Sequence, residues 1–481
     1  MRYLALATDY DGTLAHDGVV DEHTIEALER LTQSGRKLIL VTGRELPDLQ
    51  SIFPRLDLCA RVIAENGALL YNPATREKEV LADRPPESFV QSLRDKGVTG
   101  ISVGDVIIAT WHPFEKQVID AIRESGLELQ VIFNKDAVMV LPSGVNKMTG
   151  LCSALEDLRL SRHNVVGVGD AENDHAFLDG CEFAVAVANA IPALKEKSDL
   201  VTKGERGAGV TELIDKLIDN DLRQAGTKRM RRCLLLGKSE EGEAKLPAYG
   251  SSVLVCGQSG SGKSTVVMGL LERIMQQKYQ ICLIDPEGDY ENLPGCRTVG
   301  DEKRPPSIEH VKQVLQDPDA QVIVSLAGVD TADRPTYFAA LISQLQNQRL
   351  LTGRPHWLVI DEAHHVLPRE WAPASTDMRE EFSNLLLFTV HPEYVSHMAL
   401  CSINTVLIVG REPHTLMEEF GKAIEKETPE IPSEDLAHGE ALLWSIGENR
   451  VVLVKAEPAR REHFRDRRKY AEREFEQERT C

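Results

Sequence analysis

The stretch ALATDYDGTL, residues 5–14, joins a short apolar run to two carboxylates that are separated by one residue. The apolar run predicts a buried strand over residues 4–8, and Gly12 turns the chain just beyond it. Open α/β sheets bind their ligands at the carboxyl ends of the strands. Asp9 and Asp11 therefore suit Mg²⁺ binding, or phosphoryl chemistry in which one carboxylate attacks phosphorus while the other moves a proton. Taken alone, the pair also fits a solvated turn.

A second phosphate-binding motif, GQSGSGKST, lies just past the middle of the chain at residues 257–265. A predicted strand over residues 251–256 precedes it, and a predicted helix over residues 263–277 follows it. In that setting the loop offers backbone N–H groups and a helix amino terminus to phosphate, as a P-loop does. The candidate nucleotide ligands are Gly257, Gln258, Ser259, Gly260, Ser261, Gly262, Lys263, Ser264 and Thr265.

Length and composition predict a globular protein with more than one domain, since 481 residues exceed what one core organises. No apolar run approaches the roughly 20 residues that cross a bilayer, so we expect no membrane partner. Nine cysteines without paired spacing favour a reducing compartment, and we expect a cytoplasmic protein. A formal charge of −20 argues against a surface that generally attracts nucleic acid, but it leaves room for a local basic channel.

Short apolar runs alternate with amphipathic helical segments in both halves of the chain, which predicts βαβ units and mostly parallel sheets. We predict one α/β domain over residues 1–222, with a small α+β cap inserted at about 80–145. A polar, basic linker over 223–232 precedes a second α/β domain over 233–456, and a charged helical tail over 457–481 ends the chain.

The two predicted sheets are built from runs of apolar residues. In the first domain the predicted strands cover residues 4–8, 37–41, 61–64, 165–168 and 183–187. In the second they cover residues 251–256, 280–284, 321–326, 357–360, 385–390 and 405–409.

Further polar residues follow the predicted strands of the first domain. Thr42 comes after the strand at 37–41, Lys147 comes after the cap, and Asp170, Asn173 and Asp174 come after the strand at 165–168. Together with the first motif, this ordered set resembles the haloacid dehalogenase (HAD) superfamily, in particular its Cof-like phosphatases. The resemblance covers residues 1 to about 222 and implies a Rossmann-like parallel sheet.

The resemblance implies a phosphatase mechanism with a role for each motif. Asp9 is then the nucleophile and Asp11 the general acid/base, while Thr42 and Lys147 hold the phosphoryl oxygens. Family members mostly cleave phosphate from sugar phosphates and similar small metabolites, and the cap usually determines the substrate. A small phosphorylated substrate is the partner that this resemblance implies.

The resemblance also implies a Mg²⁺ site. Asp170 completes the ion's shell together with Asp9 and the backbone carbonyl of Asp11, and Asn173 and Asp174 support it. Mg²⁺ is accordingly the first expected cofactor.

The second motif predicts ATP as the other cofactor. Lys263 is placed to reach the β- and γ-phosphates, and the Ser264 hydroxyl to bind Mg²⁺. The predicted strand over 357–360 ends in Asp361, a candidate Mg²⁺ ligand, and Glu362, a candidate base that polarises water. Because such a glutamate suits water activation, the pair favours hydrolysis over a small-molecule kinase.

The P-loop, LIDPEGDY at residues 283–290 and VIDEAH at residues 359–364 together resemble the HerA/FtsK group of ATPases over about residues 230–456. The string that ends in His364 is not a DEAH-helicase motif, because the arginine-rich late motif of those helicases is absent. The group generally forms ring-shaped hexamers that move or process DNA. Thr389 and His391 then occupy its polar sensor position.

We therefore expect a bifunctional hydrolase: a Mg²⁺-dependent phosphatase of a phosphate monoester, joined to an ATP-hydrolysing P-loop domain. The alternative is a homo-oligomeric ATPase motor that acts on nucleic acid, with the first domain as an accessory or regulatory module. The sequence leaves the phosphatase substrate and the coupling between the two sites open.

Overall fold

A computed structural model describes residues 1–134, 136–223, 231–291, 293–371, 384–431 and 434–459. The chain divides into two compact units, Met1–Arg231 and Arg232–Cys481. Most of the predicted linker and the predicted tail from residue 460 onward lie outside the described residues. Across the described parts of the chain, no helix combines the length and apolar character needed to cross a bilayer.

The first unit consists of a main sheet, a smaller cap sheet and the helices around them. Its strands are β1 (Ala5–Asp9), β2 (Lys37–Val41), β3 (Cys59–Ala64), β4 (Leu69–Asn72), β5 (Glu77–Val80), β6 (Ser102–Val103), β7 (Ile108–Trp111), β8 (Leu129–Asn134), β9 (Ala137–Pro142), β10 (Val165–Gly169), β11 (Phe183–Ala186) and β12 (Leu200–Val201). Its helices are α1 (Glu22–Gln33), α2 (Leu46–Ile52), α3 (Glu87–Asp95), α4 (Glu115–Ser125), α5 (Lys147–Asp157), α6 (His175–Gly180), α7 (Pro192–Lys197) and α8 (Arg206–Asn220).

The main sheet has the order β12-β11-β10-β1-β2-β3-β4-β5. Neighbouring strands from β12 to β3 run parallel, and β4 and β5 continue the sheet antiparallel. All five residues of β1 are buried, as expected for a central strand with both faces covered. This order places β1 between β10 and β2, so the loops that follow these three strands meet at one edge.

The cap lies between β5 and α5. It is an antiparallel sheet of order β6-β7-β9-β8, packed with α3 and α4 over a small apolar core of its own. After β9 the chain returns to the main unit through α5. The Asn146 side chain accepts hydrogen bonds from the N–H groups of Met148 and Thr149, at 2.9 and 3.1 Å. Asn146 is therefore the N-cap residue of α5, and Lys147 is the first residue of the helix.

The second unit has one large mixed sheet. Its strands are β13 (Cys233–Ser239), β14 (Gly242–Pro247), β15 (Ser252–Cys256), β16 (Ile281–Asp285), β17 (Cys296–Val299), β18 (Gln321–Ser325), β19 (Trp357–Ile360), β20 (Leu385–Thr389), β21 (Thr405–Val409), β22 (Glu440–Ser445) and β23 (Arg450–Ala456). Its helices are α9 (Lys263–Gln276), α10 (Ile308–Leu315), α11 (Arg334–Thr352), α12 (His397–Cys401) and α13 (Pro413–Ala423).

The strand order in this unit is β14-β13-β23-β22-β21-β15-β20-β19-β16-β18-β17. The strands from β21 to β17 are parallel, and the two hairpins at the other end are antiparallel. Along β15, Leu254 and Cys256 belong to one apolar cluster, while Val253 and Val255 belong to another. Alternate residues of a strand point to opposite faces, so both faces of this sheet are buried.

Candidate active sites

The first site lies where β1, β2 and β10 end. Thr8 is paired with Val168, and Asp9 with Val41, so the next residues of each strand stand side by side. Three sequence motifs that are far apart in the chain therefore meet at the carboxyl edge of the sheet, which is where α/β sheets bind ligands.

At the centre of this site, one buried ammonium group bridges two buried carboxylates. Lys147 Nζ donates to Asp9 Oδ1 at 2.5 Å and to Asp174 Oδ1 at 2.6 Å. The three side chains are 1%, 6% and 0% exposed, respectively. Burial disfavours the charge on Lys147, but the carboxylates of Asp174 and Asp9 outweigh it and raise the pKa of the ammonium. Each charge is thus buried only together with its partners.

The pKa of Asp9 lies well above its ordinary value. Burial is the largest cause, the negative charges of Asp174 and Asp170 add to it, and Lys147 acts in the opposite direction. A nucleophilic carboxylate has to be ionised, so further positive charge beside Asp9 would favour the reactive form.

The carboxylates of Asp9, Asp170 and Asp174 fit a divalent metal ion. One oxygen from each lies within 4.8 Å of the others, and all three residues are buried. Lys147 supplies one positive charge beside these three carboxylates, and a divalent cation would supply more. Carboxylate oxygens are also the ligands that Mg²⁺ prefers. These residues would hold the ion, which supplies charge neutralisation for a phosphoryl group.

The loop that follows the two aspartates of the first motif passes directly over Asp170. Gly12 has a φ of +87°, and a Cβ there would lie 2.3 Å from Asp170 Oδ2. Thr13 Oγ1 donates to Asp170 Oδ1 at 3.1 Å. Only glycine combines this backbone conformation with so close an approach, which explains the residue between Asp11 and Thr13.

Arg44 forms a bidentate ion pair with Asp11. Nε and Nη2 of Arg44 each donate to one oxygen of the Asp11 carboxylate, both at 2.7 Å. The hydrogen bonds to Asp11 are the largest cause of a raised pKa at Arg44. For Asp11 to donate or accept a proton, this ion pair would have to loosen. The sequence reasoning gave Arg44 no role, although it stands two residues after Thr42 at the end of a neighbouring strand.

Thr42 and Asn173 are both brought to the site. Thr42 is buried, and its hydroxyl accepts a hydrogen bond from the N–H of Arg44 at 3.1 Å. Asn173 Nδ2 donates to Asn66 Oδ1 at 3.0 Å, so its amide contacts the turn after β3. Asp174 Oδ2 accepts the N–H groups of Asp170 and Ala171 at 2.8 and 2.9 Å, which orients the loop after β10.

The second site begins at the end of β15. Gly260 and Gly262 have φ of +77° and +92°, and α9 starts at Lys263. These conformations turn the loop back over the start of α9, so that N–H groups can face an anion. Ser264 and Thr265 lie in the first turn of that helix. Gln258 Nε2 donates to Glu412 Oε2 at 3.1 Å on the outer side of the loop.

The P-loop lysine contacts the predicted base. Lys263 Nζ lies 3.4 Å from Glu362 Oε1, and the lysine is buried. Asp361 is fully buried at the end of β19, and its Oδ1 accepts the N–H of Glu362 at 2.9 Å. Glu362 has a φ of +38°, a conformation that costs a non-glycine residue energy. This arrangement fits a nucleoside triphosphate, because it combines a glycine-rich loop, a helix amino terminus and a buried ammonium group.

Asp285 organises the turn after β16. It is fully buried, and its carboxylate accepts the N–H groups of Gly288, Asp289 and Tyr290 at 2.8 to 3.1 Å. Burial raises the pKa of Asp285 to about 6, although these hydrogen bonds act in the opposite direction. The first aspartate of the DPEGDY element therefore shapes a loop.

Thr389 and His364 contact each other between the P-loop, which follows β15, and the Asp361–Glu362 pair, which follows β19. Thr389 ends β20, which separates β15 from β19, and its hydroxyl lies 3.0 Å from Nδ1 of His364. Thr389 also accepts the N–H of His391 at 3.1 Å. Burial is the main cause that lowers the pKa of His364, to about 4, and the neighbouring His365 is the second cause. His364 is therefore neutral near pH 7.

Comparisons with known proteins match stretches in both units of the chain. The profile of the haloacid dehalogenase-like hydrolases matches residues 6–110 and 114–214, and that of an AAA domain matches residues 248–412. Phosphoglycolate phosphatase 2 of Saccharolobus solfataricus is 27% identical over 226 residues, which are 45% of this chain and 94% of that protein. The phosphoglycolate phosphatase of Metallosphaera sedula is 30% identical over 230 residues, which are 44% of this chain and 98% of that protein.

A solved haloacid dehalogenase-like hydrolase from Bacteroides thetaiotaomicron is 19% identical, covers 45% of this chain and 99% of its own, and has a TM-score of 0.40. Through its amino-terminal unit the chain belongs to the haloacid dehalogenase-like hydrolases, and its carboxy-terminal unit is similar to an AAA domain over residues 248–412. The predicted α/β fold class and hydrolase class are confirmed. The narrower HerA/FtsK affiliation stays a prediction.

Saturating Mg²⁺ without nucleotide should raise the melting temperature of the amino-terminal unit by about 5 °C, since an ion that binds only the folded carboxylate cluster stabilises it. Asp170→Asn should remove most of this shift, because it deletes one of the three carboxylates. Differential scanning fluorimetry with a Mg²⁺ titration measures the effect. Asp215→Asn, a surface substitution at an exposed ion pair with Arg30, is the matched control. An equal shift in wild type and Asp170→Asn would refute the site.

Proposed function

We propose that the amino-terminal unit is a Mg²⁺-dependent phosphatase that transfers the phosphoryl group of a small monoester to Asp9 and then to water. The observation that carries the proposal is the buried bridge of Lys147 between Asp9 and Asp174 at the carboxyl edge of the sheet. Such a bridge aims one oxygen of Asp9 and leaves a positive group beside the position of a bound phosphate.

The chemistry has two steps. A carboxylate oxygen of Asp9 attacks phosphorus, the bond from phosphorus to the ester oxygen breaks, and Asp11 gives its proton to the leaving alcohol. Water then attacks the phosphorus of the aspartyl-phosphate, Asp11 takes a proton from that water, and inorganic phosphate leaves with Asp9 restored. Arg44 holds Asp11 between the two proton transfers, and Lys147 and Thr42 hold phosphoryl oxygens.

Phosphoglycolate is the first substrate candidate. Two relatives named for phosphoglycolate phosphatase activity align over 94% and 98% of their lengths with this chain. A sugar phosphate, which the Cof-like resemblance implies, is the second candidate. A screen of phosphorylated metabolites for phosphate release distinguishes the two.

The carboxy-terminal unit, in the same proposal, binds and hydrolyses ATP. Lys263 and the P-loop N–H groups hold the phosphates, Ser264 and Asp361 would hold Mg²⁺, and Glu362 polarises the attacking water. The boundaries at 1–222 and 233–456, and a cytoplasmic location, belong to this proposal as well.

A nucleic-acid motor is the second candidate function. The turn that Asp285 holds after β16 favours it, because this element distinguishes the HerA/FtsK group from other P-loop proteins. In that case the protein assembles into a ring and its phosphatase-like unit is accessory or regulatory.

Asp9→Asn should lower Mg²⁺-dependent phosphatase turnover by about a thousandfold or more, because the amide is a poor nucleophile of nearly the same size. Phosphate release from phosphoglycolate and from a metabolite panel measures it. Asp17→Asn, in an exposed residue of the same loop, is the control and should keep wild-type turnover. Unchanged turnover in Asp9→Asn would exclude this residue as the nucleophile.

Glu362→Gln should retain ATP binding and lose ATP hydrolysis by about a hundredfold or more, since it removes the base but keeps the shape. ATP titration and phosphate release measure the two properties, and the exposed Glu370→Gln serves as the control. Full hydrolysis by Glu362→Gln would contradict the role of the glutamate.

For the motor candidate, ATP turnover by the wild-type protein should rise when DNA is added, and the protein should form rings. A monomer whose turnover does not respond to DNA would contradict that candidate.

A further inference from the structure

Glu65 is a charged side chain that the proposed chemistry does not use, yet it is completely buried. Its Oε1 accepts the N–H of Asp105 at 2.8 Å, and its Oε2 accepts those of Val106 and Ile107 at 2.7 and 2.8 Å. Glu65 follows β3 of the main sheet, whereas the three N–H groups belong to the turn before β7 of the cap. A carboxylate from one part of the unit thus satisfies three consecutive backbone donors of the other.

The cap is shaped to receive this carboxylate. A Cβ at Gly104 would lie 2.6 Å from Glu65 Oε1 and 2.9 Å from Oε2. The residue before the three donors therefore has to lack a side chain if the carboxylate is to reach them. This observation is independent of the hydrogen bonds and points to the same contact.

The turn that carries Glu65 also contacts the loops that form the phosphoryl site. Glu65 and Asn66 have φ of +50° and +56°, and their N–H groups donate to the carbonyl oxygens of Arg44 and Thr42, both at 2.9 Å. The Asn66 amide oxygen accepts from Asn173. This conformation costs a non-glycine residue energy, so the surrounding contacts have to hold the turn in place.

The same turn packs against the start of α5. A Cβ at Gly67 would lie 1.9 Å from the carbonyl oxygen of Asn146, the residue before Lys147. The turn over residues 65–67 therefore touches the loop with Thr42, the helix with Lys147 and the loop with Asn173. The turn therefore lies between the cap and the residues that are proposed to hold the phosphoryl oxygens.

We infer that Glu65 is a positioning residue, which fixes the cap over the phosphoryl site through its three N–H contacts. The inference rests on the proposed phosphatase function, because it gives the contact a consequence for substrate binding. The cap also meets the main sheet in a small buried apolar cluster of Ala68, Val106, Ile107, Met139 and Leu141, and at two exposed polar contacts. Lys78 pairs with Asp105 at 2.8 Å on the surface, and Ser102 contacts Glu45, also at an exposed position. Exposed contacts of this kind contribute little, whereas buried charge-assisted hydrogen bonds contribute more.

Glu65→Gln tests the inference, because glutamine has nearly the same size but turns an N–H₂ group toward an N–H donor. Hydrogen–deuterium exchange of the full chain should show faster exchange at residues 105–107 and little change in β1 and β10. The KM for phosphoglycolate should rise about tenfold, while kcat for p-nitrophenyl phosphate, an activated ester that depends less on the cap, should stay within about twofold.

Glu212→Gln is the matched control, since Glu212 accepts the N–H groups of Lys203 and Gly204 in the same unit but away from the cap. It should leave exchange at residues 105–107 and both kinetic parameters unchanged. Gly104→Ala disturbs the contact from the cap side with Glu65 intact, and it should reproduce the effects of Glu65→Gln even if that variant folds poorly.

The outcomes separate this inference from the proposed function. Wild-type exchange at residues 105–107 in both Glu65→Gln and Gly104→Ala overturns the inference. Faster exchange there with an unchanged KM also overturns it, because the contact would then be structural only. If the wild-type chain releases no phosphate from either ester, the proposed function fails while the exchange measurement still decides whether Glu65 holds the cap.

Discussion

The amino-terminal site depends on one ammonium group that is buried between two carboxylates. Lys147 is the first residue of α5, so the helix cap formed by Asn146 determines where its side chain enters the site. Asp9 ends β1 and Asp174 follows β10, so the bridge joins three elements that the sheet topology brings together. An isolated charge could not be buried here, because desolvation would exceed any gain in packing. The bridge therefore requires all three elements to be in place at once.

Both units place a buried lysine against a carboxylate that the proposed chemistry needs. Lys147 contacts Asp9 at 2.5 Å, and Lys263 contacts Glu362 at 3.4 Å. In each case a phosphate group would compete for the lysine, and the carboxylate would then gain freedom to attack or to polarise water. The two sites differ in what surrounds this pair. The first adds carboxylates that suit a divalent ion, whereas the second adds a glycine-rich loop and a helix amino terminus.

The sequence predicted the parallel strands except β12 and β17, and the residues at their ends, because apolar periodicity and strand-end motifs are local signals. It missed the hairpins β13–β14 and β22–β23. In β13, β14 and β23, exposed or half-buried residues are mixed with buried ones, so the apolar pattern is weaker there. The pair of Arg44 with Asp11 could have been inferred from two strand ends that are neighbours in the sheet. The contact of Glu65 could not, since its partners are backbone N–H groups about forty residues away and no residue type marks them.

The central claim is that Asp9 becomes covalently phosphorylated, and chemical trapping tests it most directly. Rapid quenching of the wild-type chain during turnover, followed by borohydride reduction, converts an aspartyl-phosphate to homoserine, which peptide mass spectrometry locates. The account predicts homoserine at position 9, dependent on substrate and absent without Mg²⁺. Steady release of phosphate with trapping at another aspartate, or with none at all under conditions that trap a known acyl-phosphate, would contradict it.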